Sequence, residues 1–88
     1  MANIPFNNGT VRDQSLTSES MLKVWVSPND ADAGDTVVLP TINNRTARVV
    51  VGTKNGTAVA CPISTNTVTL ESGGSATSQT YVLLYTYE

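Results

Sequence analysis

Tyr81-Val82-Leu83-Leu84-Tyr85-Thr86-Tyr87 is an unbroken run of aromatic, aliphatic and β-branched residues. Such residues favour strands, where side chains alternate between two faces. Tyr81, Leu83, Tyr85 and Tyr87 then share one face, and Val82, Leu84 and Thr86 share the other. A face carrying three tyrosines must be covered by the chain's own core or by a partner. The sequence reading assigns one face to the core and the tyrosines to a neighbouring subunit.

The rest of the chain follows the same period. Residues 21–27 place Leu22, Val24 and Val26 on one face and Met21, Lys23 and Trp25 on the other, before Pro28-Asn29-Asp30 ends the run. Residues 36–39 form a short strand that ends at Pro40. Residues 46–52 are expected to set Ala47, Val49 and Val51 against Arg48 and Val50. Asn55-Gly56 follows, the preferred pair for a type I′ hairpin, because both positions tolerate positive φ. The return strand over 57–63 is interrupted by Pro62, which suggests an edge or a strand end. Residues 65–71 alternate again, with Val68 and Leu70 inward and Thr67, Thr69 and Glu71 outward. Ser72-Gly73-Gly74-Ser75 is a turn.

No helical apolar period is sustained, and turn signals recur about every ten residues. The expected fold is all-β: a small antiparallel sandwich or barrel of six to seven short strands over residues 21–88. Residues 1–20 are polar and weakly patterned, and read as an N-terminal arm with a short strand near Thr10–Arg12. Ile4, Pro5 and Phe6 are its apolar anchors.

Several kinds of chemistry lack their parts. The 88 residues include one cysteine, Cys61, and no histidine, so no internal disulfide can form and the usual general base is missing. No Gly-x-Ser-x-Gly elbow is present, and the Gly-rich turn does not open a helix that would hold phosphate. Asp30, Asp32 and Asp35 sit in one loop, but the twelve-residue calcium pattern is absent and an ordinary solvated turn is expected. Cys61 is expected to be a buried, inert thiol. The Asn-x-Thr triplets at Asn8, Asn44 and Asn55 read as turn chemistry. No enzymatic activity and no cofactor are expected.

The net charge is −2 and the basic residues are scattered, so no nucleic-acid footprint is expected. No apolar run reaches the length of a membrane span, and the first residues lack the features of a signal peptide. Synthesis in the cytoplasm is therefore expected. Charged residues make up only 14%, so the surface must be built largely from 13 Thr, 8 Ser and 8 Asn. Such a surface can extend a neighbour's sheet by backbone pairing. Without disulfides or metals, oligomerisation or docking on a larger body can supply stability to a chain this small.

Ile4, Pro5, Phe6, Trp25, Tyr81, Tyr85 and Tyr87 are the candidate interface residues. A lone tryptophan in a β domain also suits the centre of a core, and the aromatic group could alternatively form a sugar-stacking platform.

A polar N-terminal segment leads into Leu22-Lys23-Val24-Trp25-Val26, followed by Asp35-Thr36-Val37-Val38-Leu39-Pro40. Next come the Arg48-Val49-Val50-Val51-Gly52 and Asn55-Gly56-Thr57 hairpin, Thr67-Val68-Thr69-Leu70, and a Tyr-Val-Leu-Leu-Tyr ending. This pattern, covering most of the chain, resembles the small head-decoration, or cement, proteins of tailed bacteriophages. The resemblance implies a virion structural protein on the capsid exterior, made in the host cytoplasm. It implies binding to the major capsid protein, homo-oligomers that are often trimers, and resistance to internal DNA pressure. It brings no catalytic residues. The readings from other classes are a carbohydrate-binding or adhesin-like β module and a tail or neck component.

Overall fold

A computed structural model describes residues 2–11, 23–41 and 44–87 of the chain, without the side chains of Val49 and Val50. The strands in chain order are β1 (Asn3–Ile4), β2 (Thr10–Val11), β3 (Lys23–Val26), β4 (Thr36–Val38) and β5 (Ala47–Lys54), then β6 (Thr57–Val59), β7 (Ile63–Ser64), β8 (Thr67–Thr69) and β9 (Tyr81–Tyr87). They form a four-stranded sheet of order β1-β4-β8-β7 and a five-stranded sheet of order β2-β3-β9-β5-β6. The fold is a β-sandwich: two separate sheets enclose one core. All pairings are antiparallel except that of β1 with β4. No helix among the described residues is long and apolar enough to cross a membrane.

β9 is the centre of the larger sheet, with β3 on one side and β5 on the other. Its exposure alternates strictly, and Tyr81, Leu83, Tyr85 and Tyr87 are the buried set. They join Trp25 and Ala47 from the same sheet, and Ile4, Val37 and Val68 from the other, in a single apolar cluster. Each phenol whose hydrogen bond is resolved stays within the chain. The Tyr81 hydroxyl donates to Glu71 Oε1 at 2.6 Å, and the Tyr87 hydroxyl donates to the Pro40 carbonyl. A buried tyrosine supplies large apolar area provided its hydroxyl finds such a partner.

The hairpins follow backbone chemistry. Asn55 and Gly56 have φ of 54° and 81°, the paired positive values of a type I′ turn. Thr65 and Asn66, at 48° and 64°, make a second turn of this kind between β7 and β8, where the strand over 65–71 was expected to begin. Asn66 is held there because its Oδ1 accepts the Ala47 N–H at 2.8 Å. Pro62 lies between the end of β6 and the start of β7, both of them edge strands, as its position suggested. Residues 60–62 carry the chain from β6 in the larger sheet to β7 in the smaller one.

β5 departs from simple alternation. Val49 pairs with Tyr85 and Val51 with Leu84, so one extra residue is inserted between them as a bulge. Ala47, before the bulge, points inward, as does Gly52 after it. Val51 is thereby placed on the outer face, opposite to the face expected for it. Gly52 lies where the crossover passes closest: a Cβ on Gly52 would stand 2.3 Å from Cys61 Sγ.

The N-terminal segment, through residue 11, belongs to the sandwich rather than to a free arm. β1 pairs with β4, and β2 pairs with β3, so the segment closes one edge of each sheet. A 3-10 turn over Phe6–Asn8 joins them. The Phe6 ring stacks on Trp25 with centroids 6.1 Å apart, and Trp25 Nε1–H donates to the Phe6 carbonyl at 2.9 Å. The weak apolar pattern of this stretch hid a role carried by backbone pairing and one aromatic contact. The remainder of the expected arm, residues 12–20, lies outside the described residues.

Candidate docking face

The outer faces of the two sheets differ in chemistry. Cross-strand partners share a face, so the registers define each face residue by residue. On the larger sheet, Val24 lies beside Leu84, and Leu84 beside Val51. In the neighbouring row Thr10, Val26, Val82, Thr53 and Ala58 follow one another across all five strands. Val24, Val26, Val51, Val82 and Leu84 are half-buried, and none of the described strands packs over them. Thr86 and Arg48 form the next pair along the sheet. On the smaller sheet Thr36 pairs with Thr69, and Thr67 with both Val38 and Ser64. That outer face is mostly hydroxyl, with Val38 as its exposed apolar residue at 49%.

The sequence contained a signal for the aliphatic face. An antiparallel strand with water on one side alternates apolar with polar residues. β3 and β9 are apolar on both sides over residues 24–26 and 81–85. A strand of that kind asks for cover on both faces, and the described strands supply only one.

The residues expected to form an interface lie elsewhere. Trp25 and Tyr81 are 0% exposed, Tyr85 is 2%, Tyr87 is 4% and Ile4 is 8%. None of these five offers its side chain to a partner, and no ring among them is available for a sugar to stack on. Phe6 is half-buried against Trp25, and only Pro5 of the group is exposed. β9 does divide into a core face and an outer face, but it is the tyrosines that point inward and the aliphatics outward.

The polar clusters are structural. Lys54 Nζ pairs with Glu71 Oε2 at 2.8 Å, beside the Tyr81 bond to Glu71 Oε1. Those two hydrogen bonds, from Lys54 first and then Tyr81, hold the Glu71 carboxyl below its usual range. Burial, reinforced by the Glu71 charge, pushes the Tyr81 phenol up, so it remains a donor. Burial also raises the half-buried Cys61 thiol, which suits a protonated, unreactive sulfur.

In the acidic loop, Asp35 is buried and accepts the Ala2 N–H through Oδ1 and the Asp32 N–H through Oδ2, both at 2.9 Å. Asp32 Oδ1 accepts the Ser78 N–H at 2.9 Å. An open recess of about 250 Å³ lies beside this loop, lined by Asn3, Asn8, Asp30, Asp32 and Asp35. The carboxylates here tie backbone amides together. No group of three or more metal-binding side chains occurs among the described residues.

The sheet edges offer little. β1, β2 and β7 have two residues each and β6 has three. Edges this short leave few backbone groups for pairing with another chain. β5 is longer than β6, however, and β6 pairs only with Gly52–Lys54, so on that side no described strand pairs with residues 47–51. Comparison with protein-family models, with curated proteins and with solved structures gave no match.

Proposed function

We propose that this chain is a structural protein of a bacteriophage virion, a decoration protein that binds the outer head surface and stabilises the shell. The observation that carries the reading is the contrast between the two outer faces. One presents Val24, Val26, Val51, Val82 and Leu84, and the other is largely threonine and serine. Five half-buried aliphatic side chains set together on one outer face support a protein contact there. The opposite hydroxyl face suits water. A molecule with one sticky side and one wettable side can coat a surface while keeping that surface soluble. The tethered carboxylates, the protonated thiol and the shortage of catalytic groups fit a role in binding rather than chemistry.

The decisive measurement is the copy number of this chain in purified virions, by quantitative mass spectrometry against the major capsid protein. A decoration protein occurs in a fixed ratio to the capsid subunit, in many copies. A handful of copies, or none, would sink the proposal. A second measurement is retention of the full chain on capsids during gradient sedimentation. Glu in place of Leu84 is expected to abolish retention, whereas Glu in place of Val38 on the hydroxyl face is expected to leave it intact.

A further inference from the structure

We propose that Asn55, at the tip of the β5–β6 hairpin, is a site of spontaneous deamidation, and that the fold withholds the same reaction from the chain's other Asn-Gly pair.

The reaction uses only the chain and water. The backbone nitrogen of the following residue loses its proton and attacks the side-chain carbonyl carbon of the asparagine. A five-membered succinimide ring forms as the Cγ–Nδ2 bond breaks, and ammonia leaves with the displaced proton. Water then opens the ring. Attack at the side-chain carbonyl gives aspartate, and attack at the main-chain carbonyl gives isoaspartate, with the chain rerouted through the side chain. Nucleophile and carbonyl belong to adjacent residues, so their relative placement sets the rate. A following glycine helps twice, because it has no side chain to shield its nitrogen and its backbone rotates easily.

Asparagine precedes glycine at Asn8-Gly9 and at Asn55-Gly56, and threonine follows both pairs. The local sequence does not separate them, but the structure does. Asn8 ends the 3-10 turn, and the Gly9 N–H donates to the Phe6 carbonyl at 3.2 Å. The indole closes one side of Gly9: a Cβ there would stand 2.4 Å from Trp25 Nε1. Freeing that nitrogen means breaking a backbone hydrogen bond and lifting the segment off the ring.

Asn55 and Gly56 are both exposed. A Cβ on Gly56 would meet no atom beyond its chain neighbours within 4 Å. The two residues are the centre of a type I′ turn between the paired Lys54 and Thr57. The hydrogen bond of a β-turn joins its first and fourth residues, so the turn makes no use of the Gly56 N–H. The Asn55 carboxamide donates to Gln79 Oε1 at 3.0 Å, an exposed contact that water replaces at small net cost. Deamidation adds one negative charge to the chain's net −2 and sets a carboxylate against that Gln79 oxygen. Isoaspartate also lengthens a two-residue turn on which the pairing of Gly52–Lys54 with Thr57–Val59 depends.

Peptide mapping by mass spectrometry tests this on the purified full chain, aged at mildly alkaline pH. Isoaspartate is counted by methyl transfer from an isoaspartyl methyltransferase. In the native chain Asn55 is expected to convert roughly tenfold faster than Asn8, the factor that one opened backbone hydrogen bond implies. Its rate should rise with pH, since the amide must lose a proton. In concentrated urea the two pairs are expected to convert at the same rate. Asn55→Ser should abolish the acidic band that ageing produces on isoelectric focusing, and Asn8→Ser should leave it. If Asn55→Ser disturbs the hairpin, the wild-type map decides alone, because it needs no variant.

Equal rates in the native chain, faster conversion at Asn8, or an Asn55 that stays intact until urea is added would each overturn the inference. A difference that persists unchanged in urea would assign the selectivity to sequence and overturn it too. The outcome is independent of the capsid reading, because no shell is present in the experiment.

Discussion

Gly9 carries a large consequence for a residue without a side chain. A Cβ built on it would lie 2.4 Å from Cε2 and Nε1 of Trp25. The indole is completely buried, stacked by Phe6 and tied to the Phe6 carbonyl, so it has nowhere to retreat. Gly9→Ala must therefore displace either the ring or the N-terminal segment. Overpacking of this kind costs about 1–3 kcal/mol. The expected outcome is a lower urea midpoint, followed through the single tryptophan, with emission shifted to the red if the segment lifts away. An unchanged midpoint and spectrum would mean that the segment does not rest on the indole. Nothing in Asn7-Asn8-Gly9 announces this constraint, because the sequence there reads as an ordinary turn. Its cause is an aromatic ring sixteen positions further along the chain.

Elements show where a sequence stops being legible. The strand run of β9, the Asn55-Gly56 turn and the inward pair Val68 and Leu70 are local patterns, and the structure reproduces them. Period alone cannot say which face of β9 turns inward. Inward phenols need acceptors, and these come from outside the strand: Glu71, 10 residues before Tyr81, and Pro40, 47 residues before Tyr87. The bulge in β5 is equally hidden, since it exists only in register with β9. Glu71 was expected to face water, yet it joins Lys54 of β5 to Tyr81 of β9. This connection makes a prediction about acid. The Glu71 pKa is depressed in the folded chain from its ordinary value of 4.5. The folded state therefore prefers the ionised form, and the stability this adds is present above pH 4.5 and lost as pH falls through the lower folded value. Glu71→Gln is expected to lower stability at neutral pH. Its deficit relative to wild type should shrink as pH drops below 4.5, measured as urea midpoints across a pH series. A deficit that is constant with pH would show that the charge contributes nothing.

The whole molecule depends on a part that looked dispensable. Residues 2–11 contribute strands to both sheets, and Ile4 belongs to the core cluster shared with Val37 and Trp25. Backbone bonds reinforce the link: the Thr36 N–H donates to the Ala2 carbonyl at 2.8 Å, and Asp35 accepts the Ala2 N–H. A free arm could be deleted with loss of partner binding alone. This segment cannot be, because its removal exposes the indole, leaves the Asp35 carboxylate without one of its donors and bares the edges of β3 and β4. Loss of the Ile4 side chain alone is a core truncation of the kind that costs about 2–5 kcal/mol. In a domain of this size total stability is about 5–15 kcal/mol, so deletion of residues 2–9 is expected to bring the chain close to unfolding. The readouts are a large fall in melting temperature by circular dichroism and red-shifted Trp25 emission in native buffer. Both are independent of whether any capsid is present. If the truncated chain instead melts with the wild type and loses only its capsid retention, the segment acts as an arm for a partner and not as the clasp between the two sheets.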